Sequence, residues 1–159
     1  MEPSMKNLKS ILTTHAFFEG MAEPYLDLMA GCAKNVRFEA GEEIFREGDD
    51  AASFYLIRHG SVALEVEALG RKPLTLLTLA ENDVLGVSWL FPPHRWVFGA
   101  RARTLVRAIA LDAHCLRNKC EEDHDLGFEL MRRFSQMLIR RLQAGRLQLL
   151  DLYNIPHAD

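Results

Sequence analysis

Residues 38–64, FEAGEEIFREGDDAASFYLIRHGSVAL, contain three glycines that separate short runs of β-branched, aromatic and leucine residues. Glycine adopts positive φ angles at little cost, so Gly41, Gly48 and Gly60 predict tight turns between strands. Over residues 62–67, Val and Leu alternate with Ala and Glu, as in an antiparallel strand with one buried face. The stretch therefore predicts a succession of short antiparallel strands.

Two further runs extend this pattern toward the C-terminus, RKPLTLLTLA at residues 71–80 and ARARTLVRAIAL at residues 100–111. Turn signals recur about every eight to twelve residues, which favours a small sandwich, barrel or β-roll over alternating βαβ units. We expect the second run to place Arg101, Arg103 and Arg107 on one face of a strand. Such a stripe could attract phosphate, although a solvated strand face is the simpler interpretation.

Helical spacing of apolar residues flanks the strands on both sides. Before residue 34 the spacing predicts short helices, and after residue 112 it predicts a long helix of about 40 Å over residues 126–152. The apolar stripe of this long helix comprises Met131, Phe134, Leu138, Leu142, Gly145, Leu149 and Leu152. Its near-3.5-residue repeat favours pairing with a partner helix, and packing within the domain alone is the alternative.

Composition narrows the class of protein. The chain has 159 residues, of which 48% are hydrophobic, and a net charge of −3. These values predict one globular domain and give no support to nucleic-acid binding from bulk charge. Signatures of common hydrolases, zincins and P-loop proteins are absent from the sequence, so we expect no enzymatic activity.

The three cysteines, Cys32, Cys115 and Cys120, bear on the compartment. The chain shows no signal-peptide pattern and no apolar run near the length of a membrane span, which predicts a cytoplasmic protein without a membrane partner. An odd number of cysteines predicts no disulfide framework. A thiol or metal sensor built on His114, Cys115, Cys120 and His124 is an alternative, but the segment lacks a Cys-x-x-Cys pair, so we assign no metal ligands.

The glycine spacing of residues 38–64 resembles the first half of the cyclic nucleotide-binding domain of the catabolite-activator (Crp/Fnr) superfamily. LAENDVLG, residues 79–86, is similar to the stretch that leads into that family's phosphate-binding cassette, with Asn82 in place of the usual Gly. The resemblance covers roughly residues 5–155.

The resemblance implies a mainly β fold with flanking helices (α+β), in which a jelly-roll-like β-roll of about eight strands carries the cassette. It divides the single domain of residues 1–159 into N-terminal helices at 1–34, a β-roll at 35–113 with the cassette at 82–98, and C-terminal helices at 114–155.

The family's long C-terminal helix pairs two subunits, so the resemblance implies a homodimer through Met131, Phe134, Leu138, Leu142, Gly145 and Leu149. In transcription factors of this superfamily a helix-turn-helix domain follows that helix. This chain stops at Asp159, so we expect only the sensor half and no sequence-specific DNA binding.

The cassette departs from the pattern of members that bind cyclic nucleotides. In those members the cassette Gly is followed by a Glu that accepts from the ribose hydroxyl, and nine or ten residues later an Arg pairs with the cyclic phosphate. Here Val87 follows Gly86, and Arg95 comes eight residues after Val87. The candidate ligand-binding residues are Gly86, Val87, Ser88, Trp89, Leu90, Arg95, Trp96 and Val97.

These features predict a non-enzymatic sensor or regulatory module with a degenerate cassette that signals through its C-terminal helix. Its pocket would take a small anionic ligand rather than a cyclic nucleotide. The alternatives are a genuine cyclic AMP or cyclic GMP domain, a protein-interaction module whose pocket is packed with Trp89, Phe91 and Trp96, and a thiol or metal sensor.

Overall fold

The computed structural model describes the backbone of residues 5–154 and the side chains of residues 7–145. The chain divides into two compact units, Met1–Glu122 and Asp123–Asp159. None of the described helices has the length and apolarity that crossing a bilayer requires.

The first unit contains three α-helices and eight strands in its described part. The helices are α1 (Met5–Thr14), α2 (Glu23–Ala30) and α3 (Ala113–Glu122), and a 3-10 turn at Ala16–Phe18 lies between the first two. The strands are β1 (Ala33–Phe38), β2 (Glu43–Phe45), β3 (Ser53–His59), β4 (Val62–Val66), β5 (Leu74–Leu79), β6 (Val84–Leu85), β7 (Gly99–Ala102) and β8 (Val106–Asp112).

The strands form two four-stranded antiparallel sheets. Sheet A has the order β1-β8-β3-β6, and sheet B has the order β2-β7-β4-β5. The prediction of an α+β fold, a β-roll between N-terminal and C-terminal helices, is therefore confirmed.

Strand β8 is a nearly continuous apolar run because it lies in the core with both faces buried. Successive residues Ala108, Ile109, Ala110 and Leu111 are all at most 2% exposed, so both faces of this strand are covered. Such a strand cannot show the alternation of a half-buried one, because neither face meets water.

The expectation of one strand across residues 100–111 is wrong. Residues up to Ala102 belong to β7 in sheet B, and Val106 begins β8 in sheet A. The chain turns between them where the Arg103 amide donates to the Ser61 carbonyl at 2.8 Å. Arg101 and Arg107 consequently lie in different sheets rather than in one stripe.

The odd number of cysteines predicted no disulfide framework, but the structure contains a disulfide. Cys32, which precedes β1, is bonded to Cys115 in α3, with 5.8 Å between their Cα atoms. Their sequence separation of 83 hides this proximity, which arises because α3 follows β8 and β8 pairs with β1. Among the described residues, Cys120 is the cysteine outside the disulfide, and the cytoplasmic location remains a prediction.

The second unit contains α4 (His124–Asn154), a helix of 31 residues. Its first turn is capped by Asp123, whose carboxylate accepts from the amides of Asp125 and Leu126 at 3.1 and 3.2 Å. Such a cap satisfies amides that have no partner within the helix and places a negative charge at the positive end of the helix dipole.

The predicted apolar stripe of α4 divides between two faces. Phe134 is buried together with Leu126 and Leu130, whereas Met131, Leu138 and Leu142 are 40%, 39% and 75% exposed. Phe134 belongs with the buried set because it follows Leu130 by four residues and Leu126 by eight. Gly145 is half-buried, and the side chains of Leu149 and Leu152 lie outside the described residues.

Candidate ligand site at the cassette loop

A tight turn leads into the cassette. Asn82 has a φ of +71°, the left-handed conformation that asparagine tolerates in the place of glycine. Its amide donates to the Ile57 carbonyl, and the Asp83 carboxylate accepts from the Ala80 amide at 2.8 Å. Gly86 follows the two-residue strand β6. It is buried and has a φ of +106°.

The ring of Trp96 lies directly against Gly86. A Cβ atom placed on Gly86 would be 2.6 Å from Cη2 of Trp96, and no real Cβ is so close to another heavy atom. Trp96 is 4% exposed, and its ring stacks on Phe45 with the centroids 3.7 Å apart. Phe45 in turn stacks on Tyr55 with the centroids 6.4 Å apart. Trp96, Phe45 and Tyr55 therefore form a stack of aromatic rings that begins at Gly86 and ends at β3.

Arg95 lies on the other side of the chain from Trp96. Its guanidinium donates to the Gly48 carbonyl at 3.0 Å, lies 3.5 Å from the Asp50 carboxylate and is 59% exposed. The Trp96 amide and carbonyl pair with Asp49 and Gly48, at 2.9 and 2.8 Å. Because this pairing is strand-like, consecutive side chains face opposite ways, and the structure brings Trp96 rather than Arg95 to Gly86.

The sequence matches the model of a known protein family. The family model described as the cyclic nucleotide-binding domain matches residues 35–123, more than half of the chain. The chain belongs to the cyclic nucleotide-binding domain family. The predicted resemblance to a Crp/Fnr-like sensor domain is confirmed, and the cassette at residues 82–98 stays a prediction.

Two curated relatives are similar over part of this domain. An anaerobic regulatory protein of Bacillus subtilis is 26% identical over 119 residues, which is 74% of this chain and 50% of that protein. A cGMP-dependent protein kinase of Plasmodium berghei is 32% identical over 80 residues, 50% of this chain and 9% of the kinase. The chain thus spans half or less of the length of these relatives.

Solved structures share the fold. A putative cyclic nucleotide-binding protein from Geobacter metallireducens superposes with a TM-score of 0.76 at 26% identity, covering 88% of this chain and 98% of that one. The sensor domain of the transcriptional regulator DNR from Pseudomonas aeruginosa superposes with a TM-score of 0.69 at 18% identity, covering 87% and 93%. The second likeness, at its low identity, concerns the fold alone.

The remaining predicted residues of the cassette lie in different environments. Trp89 is fully buried, and its ring stacks on Phe54 with the centroids 4.9 Å apart. Val97 is 63% exposed, and Phe91, which was predicted to help pack the pocket, is 45% exposed. Val87, Ser88 and Leu90 are half-buried. Their ligand-binding role stays a prediction.

Arg117 is a residue at this site that the sequence did not single out. From α3 it donates to the Trp89 carbonyl at 2.6 Å and so ties this helix to the cassette of the cyclic nucleotide-binding domain. Little in the sequence indicated this contact. A single arginine in a polar helix belongs to no pattern that would point to a partner 28 residues away.

The histidines and cysteines of the predicted thiol or metal sensor do not form a metal site among the residues that the structure describes. Cys115 is in the disulfide with Cys32, which removes its thiolate from any ligand set. His114 lies 3.4 Å from the Asn118 side chain, one helical turn further on. No group of three or more His, Cys, Asp or Glu side chains that could hold a metal ion occurs among the described residues.

Proposed function

We propose that this cyclic nucleotide-binding domain is a non-enzymatic regulatory module with a degenerate cassette, which acts through its C-terminal helix as a homodimer. The observation that carries the proposal is the position of Trp96, whose ring occupies the space against Gly86. A ligand in that space would have to displace a side chain that is already buried and stacked on Phe45.

The side chains next to Gly86 support the same proposal. Val87 has no group that accepts a hydrogen bond from a ribose hydroxyl, so that hydroxyl would be buried without a partner, at a cost of about 1–3 kcal/mol. Arg95 donates to the Gly48 carbonyl instead of pointing into the cassette. Binding of a cyclic phosphate through Arg95 would require the pairing of residues 94–96 with residues 48–51 to open.

The exposed apolar face of α4 supports dimerisation. Phe128, Ile139 and Leu142 are 65%, 57% and 75% exposed, and Met131 and Leu138 are about two-fifths exposed. Contact with the same face of a second copy would bury these side chains at a gain of about 25 cal/mol per Å² of apolar surface.

A route from the cassette toward α4 also exists in the chain. Arg117 joins α3 to the Trp89 carbonyl, α3 ends at Glu122, and α4 begins at His124. A change in the cassette would therefore act on the helix that precedes α4, and a ligand or partner that prefers one arrangement would shift the population toward it.

The second candidate is a genuine cyclic nucleotide domain, which the match to the family model favours. Native mass spectrometry of the freshly purified full chain separates the candidates. The proposal predicts the mass of a dimer without additional small-molecule mass. A retained cyclic nucleotide would support the second candidate, and a retained smaller anion would support a pocket that has changed its ligand.

A further inference from the structure

A row of basic side chains crosses sheet A. Arg107 of β8 lies directly opposite Arg37 of β1 on one side and directly opposite His59 of β3 on the other. Like charges in directly opposite positions of an antiparallel sheet are destabilising. The directly opposite guanidinium groups of Arg37 and Arg107 therefore cost stability in the isolated domain.

A β-bulge adds a fourth basic side chain to this row. The register of β3 with β8 shifts between Ile57 and His59, so Arg58 is the extra residue. In a regular strand Arg58 and His59 would face opposite sides of the sheet, but here both line one groove, with Leu105 and Arg107. The groove has a volume of about 370 Å³.

A second groove adjoins the first. It has a volume of about 330 Å³, and Asn35, Arg37, Arg58 and Arg107 are among its lining residues. Arg58 and Arg107 line both grooves, so these two guanidinium groups are shared between them. We call Arg37, Arg58, His59 and Arg107 the basic cluster.

The basic cluster has little opposite charge within the described residues. Arg37 pairs with Glu39 at 3.1 Å. The side chains of Arg58 and Arg107 make no hydrogen bond or ion pair with any residue that the structure describes. Arg101 on sheet B is different, because it bonds to carboxylates of both Glu43 and Glu65. The chain as a whole is acidic, with a net charge of −3, so the unpaired arginines do not reflect a shortage of acidic residues.

We propose that the basic cluster is a binding site for the phosphate groups of an oligophosphate ligand, on the outside of the β-roll and separate from the cassette. Three arginines offset by one glutamate match an anion of two or more charges, whereas a single carboxylate carries one. The planar guanidinium group also suits phosphate oxygens through paired hydrogen bonds. Three neighbouring strands span about 10 Å, enough for two or three linked phosphates.

Isothermal titration calorimetry of the full chain with inorganic pyrophosphate and tripolyphosphate in 0.15 M salt tests the proposal. We expect saturable binding that Arg107→Glu weakens at least tenfold. The matched control is Arg71→Glu, which makes the same charge change at an exposed position in the turn between β4 and β5 and should alter the affinity less than twofold.

Thermal unfolding shows whether the variants are folded. Arg107→Glu places a carboxylate between Arg37 and His59, so its melting temperature should equal or exceed that of the unmodified protein. If this variant does not fold, Arg107→Gln replaces it and should still weaken binding severalfold.

Three outcomes would overturn the proposal: no binding at millimolar pyrophosphate and tripolyphosphate, binding that Arg107→Glu leaves intact, or equally tight binding of a glutamate-rich peptide. If Arg107→Glu has no effect while Arg95→Gln abolishes binding, the phosphate site lies at the cassette instead.

Discussion

The rings of Trp96 and Phe45 lie parallel, with 7° between their planes, and the far edge of the Trp96 ring lies over Gly86. This relationship explains why glycine stands at position 86. Glycine is needed at position 86 because its φ is +106° and because a Cβ would meet the indole. The buried Trp96 ring occupies the space against Gly86 with apolar surface.

Gly86→Ala tests this packing. We expect it to lower the free energy of unfolding by about 3 kcal/mol, because the methyl group adds overpacking against Trp96 to the strain of a positive φ. The matched control is Gly70→Ala, at a φ of +69° with nothing within 4 Å of the added methyl, which should cost about 1 kcal/mol. Urea denaturation measures both values, and equal costs would contradict the close approach of the indole.

The exposed face of α4 yields a prediction about the oligomeric state. Leu142→Asp should convert a dimer to a folded monomer, since a carboxylate at a side chain that is 75% exposed in the single chain is tolerated there but not in an apolar interface. Gln136→Asp, an exposed position away from that face, should leave the dimer intact. Light scattering at tens of micromolar decides, and an unmodified protein that is monomeric would rule out the interface.

The disulfide yields a prediction about stability. Cys115→Ser should lower the free energy of unfolding by about 4 kcal/mol, because a cross-link across 83 residues restricts the unfolded chain strongly. Cys120→Ser, at the cysteine outside the disulfide, should change it by less than about 1 kcal/mol. Denaturation without reductant makes the measurement. Two variants of equal stability, or two titratable thiols at Cys32 and Cys115 in the native protein, would contradict the bond.

Buried His15 predicts a dependence of stability on pH. Burial lowers the pKa of this imidazole below its ordinary 6.5, and Nδ1 accepts from the Phe17 amide, which a protonated Nδ1 cannot do. The unfolded state then binds more protons below pH 6.5, so stability falls as the pH drops from there, by at most about 1.4 kcal/mol per pH unit for one proton. His15→Asn keeps an acceptor for the Phe17 amide and removes the titration, so its unfolding free energy should fall less between pH 6.5 and 5.

The sequence predicted the succession of short strands because its turns are local, and the resemblance then implied the β-roll. Gly41, Gly48 and Gly60 all have positive φ angles, which few other residues adopt, so their spacing marks the turns directly. The long C-terminal helix was equally predictable from its apolar repeat.

Features that depend on the pairing of distant segments could not be read from the sequence. Arg101 and Arg107 look alike in the sequence, but a turn sends them to different sheets with different partners. The positions of Arg95 and Trp96 were open as well, because which of two consecutive side chains faces Gly86 depends on the backbone pairing of residues 94–96 with residues 48–51.

We propose that this cassette does not bind a cyclic nucleotide, and calorimetric titration of the unmodified full chain with cyclic AMP and cyclic GMP measures this affinity. The combination of Val87 beside Gly86, Arg95 bonded to Gly48 and Trp96 in the pocket predicts no binding at micromolar concentrations. A gain of affinity in Val87→Glu would support the same account. Micromolar or tighter binding by the unmodified protein would contradict it.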